Sequence, residues 1–145
     1  MITEDYVSFE TAKLLKEKGF DEECSCFYNN IDYGTPGLKV DGQLYYKNSA
    51  LDDEEYATPT LQMAMKWLME KHSCFITFSW EFDKYDDNGK PVFGKTNWQY
   101  NISIPKWNSA RTGDGSYFNM YSEEEFPTYE EALEASINYC LKNLI

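Results

Sequence analysis

The 145-residue sequence predicts a single α+β domain, residues 1–145, with the element order α-β-β-α-β-β-β-α. Three observations predict this class. Three segments carry helical spacing of apolar residues with capping signals, two segments of the second half alternate strictly, and 17% of the residues are aromatic. We expect a mainly antiparallel sheet, as one sheet, with a buried central helix and two flanking amphipathic helices.

The N-terminal third begins with a predicted helix over residues 8–18, with Ser8 as its N-cap and Gly19 as the residue after its end. An irregular hairpin or small meander should follow, because β-like segments alternate with turn signals. Its β-like segments lie at 26–28, 38–40 and 43–47. The acidic run at 52–55 is typical of a solvated loop.

The central helix is predicted over residues 58–72, with Thr58 as its N-cap and Pro59 at the first helical position. Its apolar residues cover most of the circumference, which is typical of a helix buried on several sides. Met63 and Trp67 lie at one side of this apolar surface. If no other element of the chain covers these two residues, a partner must cover them, and we then expect a homodimer interface.

A hairpin is predicted from residues 74–82 and 98–104, in which the even-numbered positions are apolar. Both even-numbered sets fall on one face if the turn around 87–89 has three residues, with Gly89 in the left-handed conformation. That turn would place Phe78 opposite Trp98. A two-residue turn with a compensating bulge near 94 is the alternative.

The last elements are a third strand at about 116–121 and a helix to about residue 143. Pro105 is expected to end the preceding strand, because proline cannot donate to a ladder. Thr128 opens the helix with a capping box. Its apolar stripe is formed by Leu133, Ile137, Cys140, Leu141 and Leu144.

The net charge of −12 argues against direct binding to nucleic acid or to anionic membranes, since both need clustered Lys and Arg. The acidity has two readings: solubility, or a surface that imitates DNA phosphates to occupy a basic protein. The acidic first residues lack the basic region of a signal peptide, and no apolar run is long enough for a membrane span. We therefore expect a cytoplasmic protein with reduced cysteines.

Catalytic and metal-binding patterns are sparse. The only histidine, His72, falls at a helix end, and no nucleophile is placed beside it, so we predict no enzyme and no cofactor. Two i, i+2 pairs, Cys24 with Cys26 and His72 with Cys74, could supply soft metal ligands if their strands were adjacent. Zinc sites favour another spacing, so buried apolar thiols are the preferred interpretation and no metal is predicted.

A candidate ligand-binding segment is the loop at 106–115, which contains Trp107 and Arg111, the only arginine of the chain. A guanidinium beside an indole ring could bind a carboxylate or a phosphate. The alternative is a hairpin loop without a ligand.

Three stretches together resemble a family of small cytoplasmic proteins of prophages and mobile elements in gut Bacteroidetes, for which no activity is established. They are VSFETAKLLKEKGFD at 7–21, ATPTLQMAMKWLMEKH at 57–72 and PTYEEALEASINYCLKNLI at 127–145. The shared sequences are helical and define no catalytic motif. The resemblance therefore implies a context, that of a phage or mobile-element accessory protein, and assigns a role to none of the residues.

The sequence thus favours a non-enzymatic accessory protein that binds a protein partner, or a second copy of itself, through an acidic and aromatic-rich surface. A DNA-mimic or anti-restriction role is the most specific form of this hypothesis. The alternative is a small-ligand or metal-binding domain that uses the 106–115 loop or the Cys24, Cys26, His72 and Cys74 pairs.

Overall fold

A computed structural model describes residues 5–29, 37–40, 45–82, 85–90, 96–106 and 116–145. Three α-helices and six strands lie in these residues, which confirms the α+β class. In chain order they are α1 (Phe9–Glu17), β1 (Cys26–Asn29), β2 (Gly37–Val40), a 3₁₀ turn (Asn48–Ala50), β3 (Glu55–Ala57), α2 (Leu61–His72), β4 (Phe75–Phe82), β5 (Thr96–Lys106), β6 (Ser116–Tyr121) and α3 (Tyr129–Asn143).

The described strands form two antiparallel sheets, ordered β2-β1-β3 and β4-β5-β6, so the expectation of one sheet is wrong. The first sheet contains β3, which begins at the end of the acidic run. There the Lys16 ammonium donates to the carbonyl oxygens of Asp52 and Glu55, both at 2.8 Å, and ties this segment to α1. Of the segment predicted at 43–47, the described part contributes an isolated bridge between Tyr46 and Cys24.

α2 begins at Leu61, two residues later than predicted from Thr58 and Pro59. Thr60 is the N-cap, and its side chain accepts a hydrogen bond from the backbone of the first turn. Thr58 remains outside the helix because its N–H donates to the Cys26 carbonyl at 3.0 Å, which extends the pairing of the first sheet. Backbone pairing with a distant strand therefore overrides the local capping signal.

Phe20 covers Trp67 on α2. Their rings meet edge to face with centroids 5.4 Å apart, and Trp67 is 6% exposed. Phe20 is directed there by the end of α1, where Gly19 has φ +89° and the Phe20 N–H donates to the Leu15 carbonyl at 2.9 Å. This removes the reason for placing a partner at Trp67, while Met63 is half-buried against the core.

The predicted parity of the β4–β5 hairpin is confirmed, because even-numbered residues face one another across it. Phe78 lies opposite Tyr100, however, so the predicted pairing of Phe78 with Trp98 is wrong by two residues. The even face packs on the helices: Ile102 has no exposed surface and Tyr100 is 7% exposed.

The turn itself has the predicted form, with Gly89 at φ +77°. The Asp86 N–H donates to the Lys90 carbonyl at 2.8 Å, and the Gly89 N–H donates to the Asp86 carbonyl at 2.9 Å. The predicted alternative, a bulge near 94, lies outside the described residues.

Pro105 lies within β5, opposite Tyr117, and does not end the strand as predicted. The last pair between β4 and β5 is Phe75 with Ser103. Beyond it, β6 is the only described strand that pairs with β5, so Pro105 lies where β4 requires no backbone donor.

α3 has the predicted N-cap and the predicted stripe, but only one of the two bonds of the predicted capping box is present, because the Glu131 carboxylate accepts no hydrogen bond from the Thr128 N–H among the described residues. The Thr128 side chain accepts from the Glu131 N–H at 3.2 Å. The stripe packs against α1, α2 and β5. Four of its predicted members are fully buried, namely Leu133, Ile137, Cys140 and Leu141, and Leu144 is half-buried.

Leu68 and Met65 provide a test of the placement of α2, because Leu68 has no exposed surface and Met65 is half-buried. We expect Leu68→Ala to lower the free energy of unfolding by about 2–5 kcal/mol through lost burial and a residual cavity. Met65→Ala should cost less, since its side chain already contacts water. Denaturant titration followed by tryptophan fluorescence measures both, and equal losses would contradict this placement.

Candidate functional site

Two adjoining grooves flank the exposed side of α3 and share Phe126 and Ala135. Their volumes are about 550 and 510 Å³. We call them together the double groove. The first part is lined in addition by Asp5, Tyr6, Ser8, Leu61, Glu130, Glu131 and Glu134. The second part is lined in addition by Tyr100, Met120, Tyr121, Ser122, Glu123, Glu124 and Tyr139.

Phe126 is positioned by backbone pairing with β5. The Trp98 N–H donates to the Phe126 carbonyl at 2.7 Å, and the Phe126 N–H donates back to the Trp98 carbonyl at 2.8 Å. The Phe126 ring then stacks on Tyr100, with centroids 6.0 Å apart and the planes 30° from parallel. The chain enters α3 at Tyr129, so Phe126 forms a floor between the sheet and the helix.

The double groove has an acidic rim. Six carboxylates line it, namely Asp5, Glu123, Glu124, Glu130, Glu131 and Glu134. None of the described residues that line either part is a lysine or an arginine. Because the floor between them has low dielectric, the field of these carboxylates is concentrated in the groove. The site is therefore suited to a cationic group attached to apolar surface.

Glu134 has a structural role within this rim. Its Oε1 accepts hydrogen bonds from the Ser8 N–H at 3.1 Å, from the Ser8 hydroxyl and from the fully buried Thr11 hydroxyl. Asn138 on the next turn of α3 donates to the Thr11 hydroxyl oxygen. The carboxylate lies at the N-terminus of α1, where the helix dipole favours negative charge. This network fixes one wall of the double groove.

An aromatic cluster continues from the double groove onto the even face of the second sheet. The Tyr129 ring contacts Phe78 and Trp98 edge to face, with centroid distances of 4.8 and 5.5 Å. The Tyr129 hydroxyl accepts from the Gln62 side chain at 3.0 Å. Trp80, paired with Trp98 across the strands, is 53% exposed. Large aromatic surface is therefore accessible beside the acidic rim.

The cysteine pairs proposed as metal ligands do not converge. The thiols of Cys26 and Cys74 face the backbone carbonyls of Thr58, at 3.3 Å, and His72, at 3.7 Å. Cys74 is hydrogen-bonded to Cys140, a residue outside the proposed set. Among the residues that the structure describes, no group of three or more His, Cys, Asp or Glu side chains could hold a metal ion.

Burial favours the neutral forms of Cys24 and His72, whereas the hydrogen bond with Cys140 lowers the pKa of Cys74. Burial raises the pKa of Cys24 to about 12, and nearby Cys26 and Glu22 act in the same direction. The hydrogen bond with Cys74, together with burial, raises the pKa of Cys140. Burial lowers the pKa of His72, whose ring meets the Trp67 ring edge to face with the centroids 4.7 Å apart. These side chains are packing groups in this structure.

The candidate ligand residues Trp107 and Arg111 lie outside the described residues, as does the rest of the 106–115 loop except the Lys106 backbone. Of the candidates singled out from the sequence that the structure does describe, none lines the double groove. Phe126 was missed because it reads as a loop residue. The sequence analysis considers the start of α3 only for its capping box, although the spacing of Glu130 and Glu131 with Glu134 is a usable signal for a shared acidic surface.

Comparison with protein-family models, with curated proteins and with solved structures finds no match for this chain. No helix in the described part of the chain is both long and apolar enough to cross a membrane.

Glu134→Ala tests the network between α3 and α1. Removal of the carboxylate leaves the buried Thr11 hydroxyl and the Ser8 N–H without their acceptor, so we expect a loss of about 1–3 kcal/mol in the free energy of unfolding. Glu125→Ala, at an exposed position outside the helices, should change it by less than about 0.5 kcal/mol. Denaturant titration measures both variants, and a neutral effect of Glu134→Ala would refute the network.

The raised pKa of Cys24 predicts a loss of stability in alkaline solution. The unfolded thiol loses its proton near the ordinary value of 9.0, whereas the folded thiol does so only near about 12. Between these values the unfolded state binds fewer protons, so the free energy of unfolding falls as the pH rises above about 9. Titrations from pH 8 to 11 should show a shallower decline for Cys24→Ala, and identical slopes would contradict the burial of this thiol.

Proposed function

We propose that the protein is a non-enzymatic interaction protein that engages a protein partner through its acidic, aromatic-rich surface. The single observation that carries this proposal is the double groove, a concave site with an apolar floor and a carboxylate rim. Concave apolar surface with a few charged groups at its border is typical of binding sites. The resemblance of the helices supports a phage or mobile-element accessory protein as the setting.

The composition of the double groove favours a protein segment over other occupants. The carboxylate rim would repel the phosphates of a nucleic acid or of a lipid surface. A mimic of DNA needs a continuous row of charges, whereas these carboxylates surround Leu61, Phe126 and Ala135. An apolar floor of this kind contributes binding free energy when it contacts apolar side chains of a partner. The DNA-mimic form is accordingly the less favoured version of the proposal.

Ala135 offers a direct test, because it lies where the two parts of the double groove meet. Ala135→Trp fills this junction without a change of charge. Ala50→Trp, at an exposed position of the 3₁₀ turn, adds the same bulk elsewhere and serves as the matched control. Both variants should first be shown to fold by circular dichroism.

Affinity capture with the wild-type protein and both variants as baits gives the readout. We expect the wild type and Ala50→Trp to retain the same partner from a host lysate, and Ala135→Trp to lose it. The captured partner should then bind the purified wild-type protein in isolation. Equal retention by Ala135→Trp would place the partner elsewhere and overturn the proposed role of the double groove.

A further inference from the structure

The double groove also specifies the chemistry of its partner. Building on the proposed function, we infer that it binds an extended basic segment in which one large apolar side chain stands between two arginines or lysines. Three features carry this inference: an apolar centre, carboxylates on both sides of that centre, and a span set by α3.

The apolar centre is the place where the two parts of the double groove meet. Phe126 and Ala135 belong to both parts, and Leu61 adjoins them in the first. Ala135 has a short side chain beside the broad Phe126 ring, which leaves room for a large apolar side chain against that ring. A leucine or a phenylalanine buried here would contribute through the hydrophobic effect.

The two ends of the double groove both favour a cation. Glu130 and Glu131 line the first part, and Glu123 and Glu124 line the second. Tyrosine rings stand in both parts, with Tyr6 in the first and Tyr100, Tyr121 and Tyr139 in the second. A guanidinium group can pair with carboxylates and stack on aromatic rings at the same time, so arginine fits these ends best.

The span between the two ends follows from α3. Glu131 lines the first part and Tyr139 lines the second, eight residues further along the helix. At the rise of an α-helix this separation is about 12 Å. An extended chain covers about 3.3 Å per residue, so four residue steps cover the same distance.

Alternate residues of an extended chain point to the same side. Residues i, i+2 and i+4 of a bound segment can therefore face the double groove together, with the basic residues at i and i+4 and the apolar residue at i+2. The spacing required by α3 and the period of a strand thus agree. A second copy of this chain is a poorer occupant, since its 25 acidic residues outnumber its 13 basic ones.

A fluorescein-labelled, end-capped peptide tests the inference, with arginine at positions 1 and 5, leucine at position 3 and alanine at positions 2 and 4. Fluorescence anisotropy measures its affinity for the full-length protein at low ionic strength. Replacement of the leucine by alanine should weaken binding about tenfold, because the apolar contact is lost. A peptide of the same composition with adjacent arginines should bind at least about fivefold more weakly, because only one end can be occupied.

Charge-reversed protein variants supply the complementary test. The double variant Glu124→Lys/Glu131→Lys alters both ends and should weaken binding of the first peptide by more than about tenfold. The double variant Glu54→Lys/Glu81→Lys makes the same change of net charge at exposed positions outside the double groove, and it should bind nearly as the wild type does. Equal weakening in both variants would mean attraction by net charge alone and would overturn the inference.

The remaining outcomes separate this inference from the proposed function. The inference fails if the first peptide and its rearranged form bind equally, or if neither peptide binds. The proposed function still stands in either case, provided that capture of a partner depends on Ala135. If capture is also independent of Ala135, the proposed function fails with it. The remaining possible occupant is a second copy of this chain, which sedimentation velocity tests. If the wild type is a dimer and Glu124→Lys/Glu131→Lys is a monomer, the double groove binds a second copy, and the inference of a basic segment is overturned.

Discussion

The burial of α2 is the constraint on which the rest of the structure depends. A helix that is apolar on several sides must be covered on several sides, and α3, β4 and Phe20 share this task. Phe20 can do so only because α1 ends at a left-handed glycine that turns the chain towards Trp67. Buried Asn48 then holds this turn: its amide donates to the Phe20 carbonyl at 2.7 Å and its oxygen accepts from the Ala57 N–H at 2.9 Å. Each of these buried polar groups is satisfied, which is a condition for placing them in a core.

The same arrangement creates the double groove. α3 buries its stripe against α1, α2 and β5, which leaves its other side beside the segment that returns from β6. That segment is held to β5 by the reciprocal bonds between Trp98 and Phe126. Glu134 ties α3 to α1 on the opposite wall. The groove is therefore bounded by elements whose positions are already determined by the core, and a ligand would meet a preformed surface with little ordering cost.

Local patterns of the sequence predicted the elements, whereas long-range pairing decided the details that were missed. The caps at Ser8 and Thr128 and the parity of the β4–β5 hairpin depend on neighbouring residues or on a single turn, and these predictions hold. Thr58 failed as a cap because its N–H pairs with Cys26, which is distant in sequence. Pro105 is compatible with β5 because the pairing with β4 stops at Ser103, and the local sequence around Pro105 does not show where that pairing stops. Phe126 carried no local signal at all, since its role depends on contact with Trp98.

The structure shows where part of the negative charge of the chain is concentrated. A net charge of −12 is compatible with simple solubility, but the lining of the double groove combines six carboxylates with Phe126, Leu61 and four tyrosines. Glu134 belongs to this rim and yet supports the fold, so its loss would alter stability and binding together. Glu124 and Glu131 are exposed, and the structure gives neither side chain a hydrogen-bonded partner among the described residues. Their contribution to a complex would be screened by salt over about 8 Å at physiological ionic strength, whereas the apolar contact at Phe126 would not. The salt dependence of binding therefore distinguishes the contribution of the carboxylate rim from that of the apolar floor.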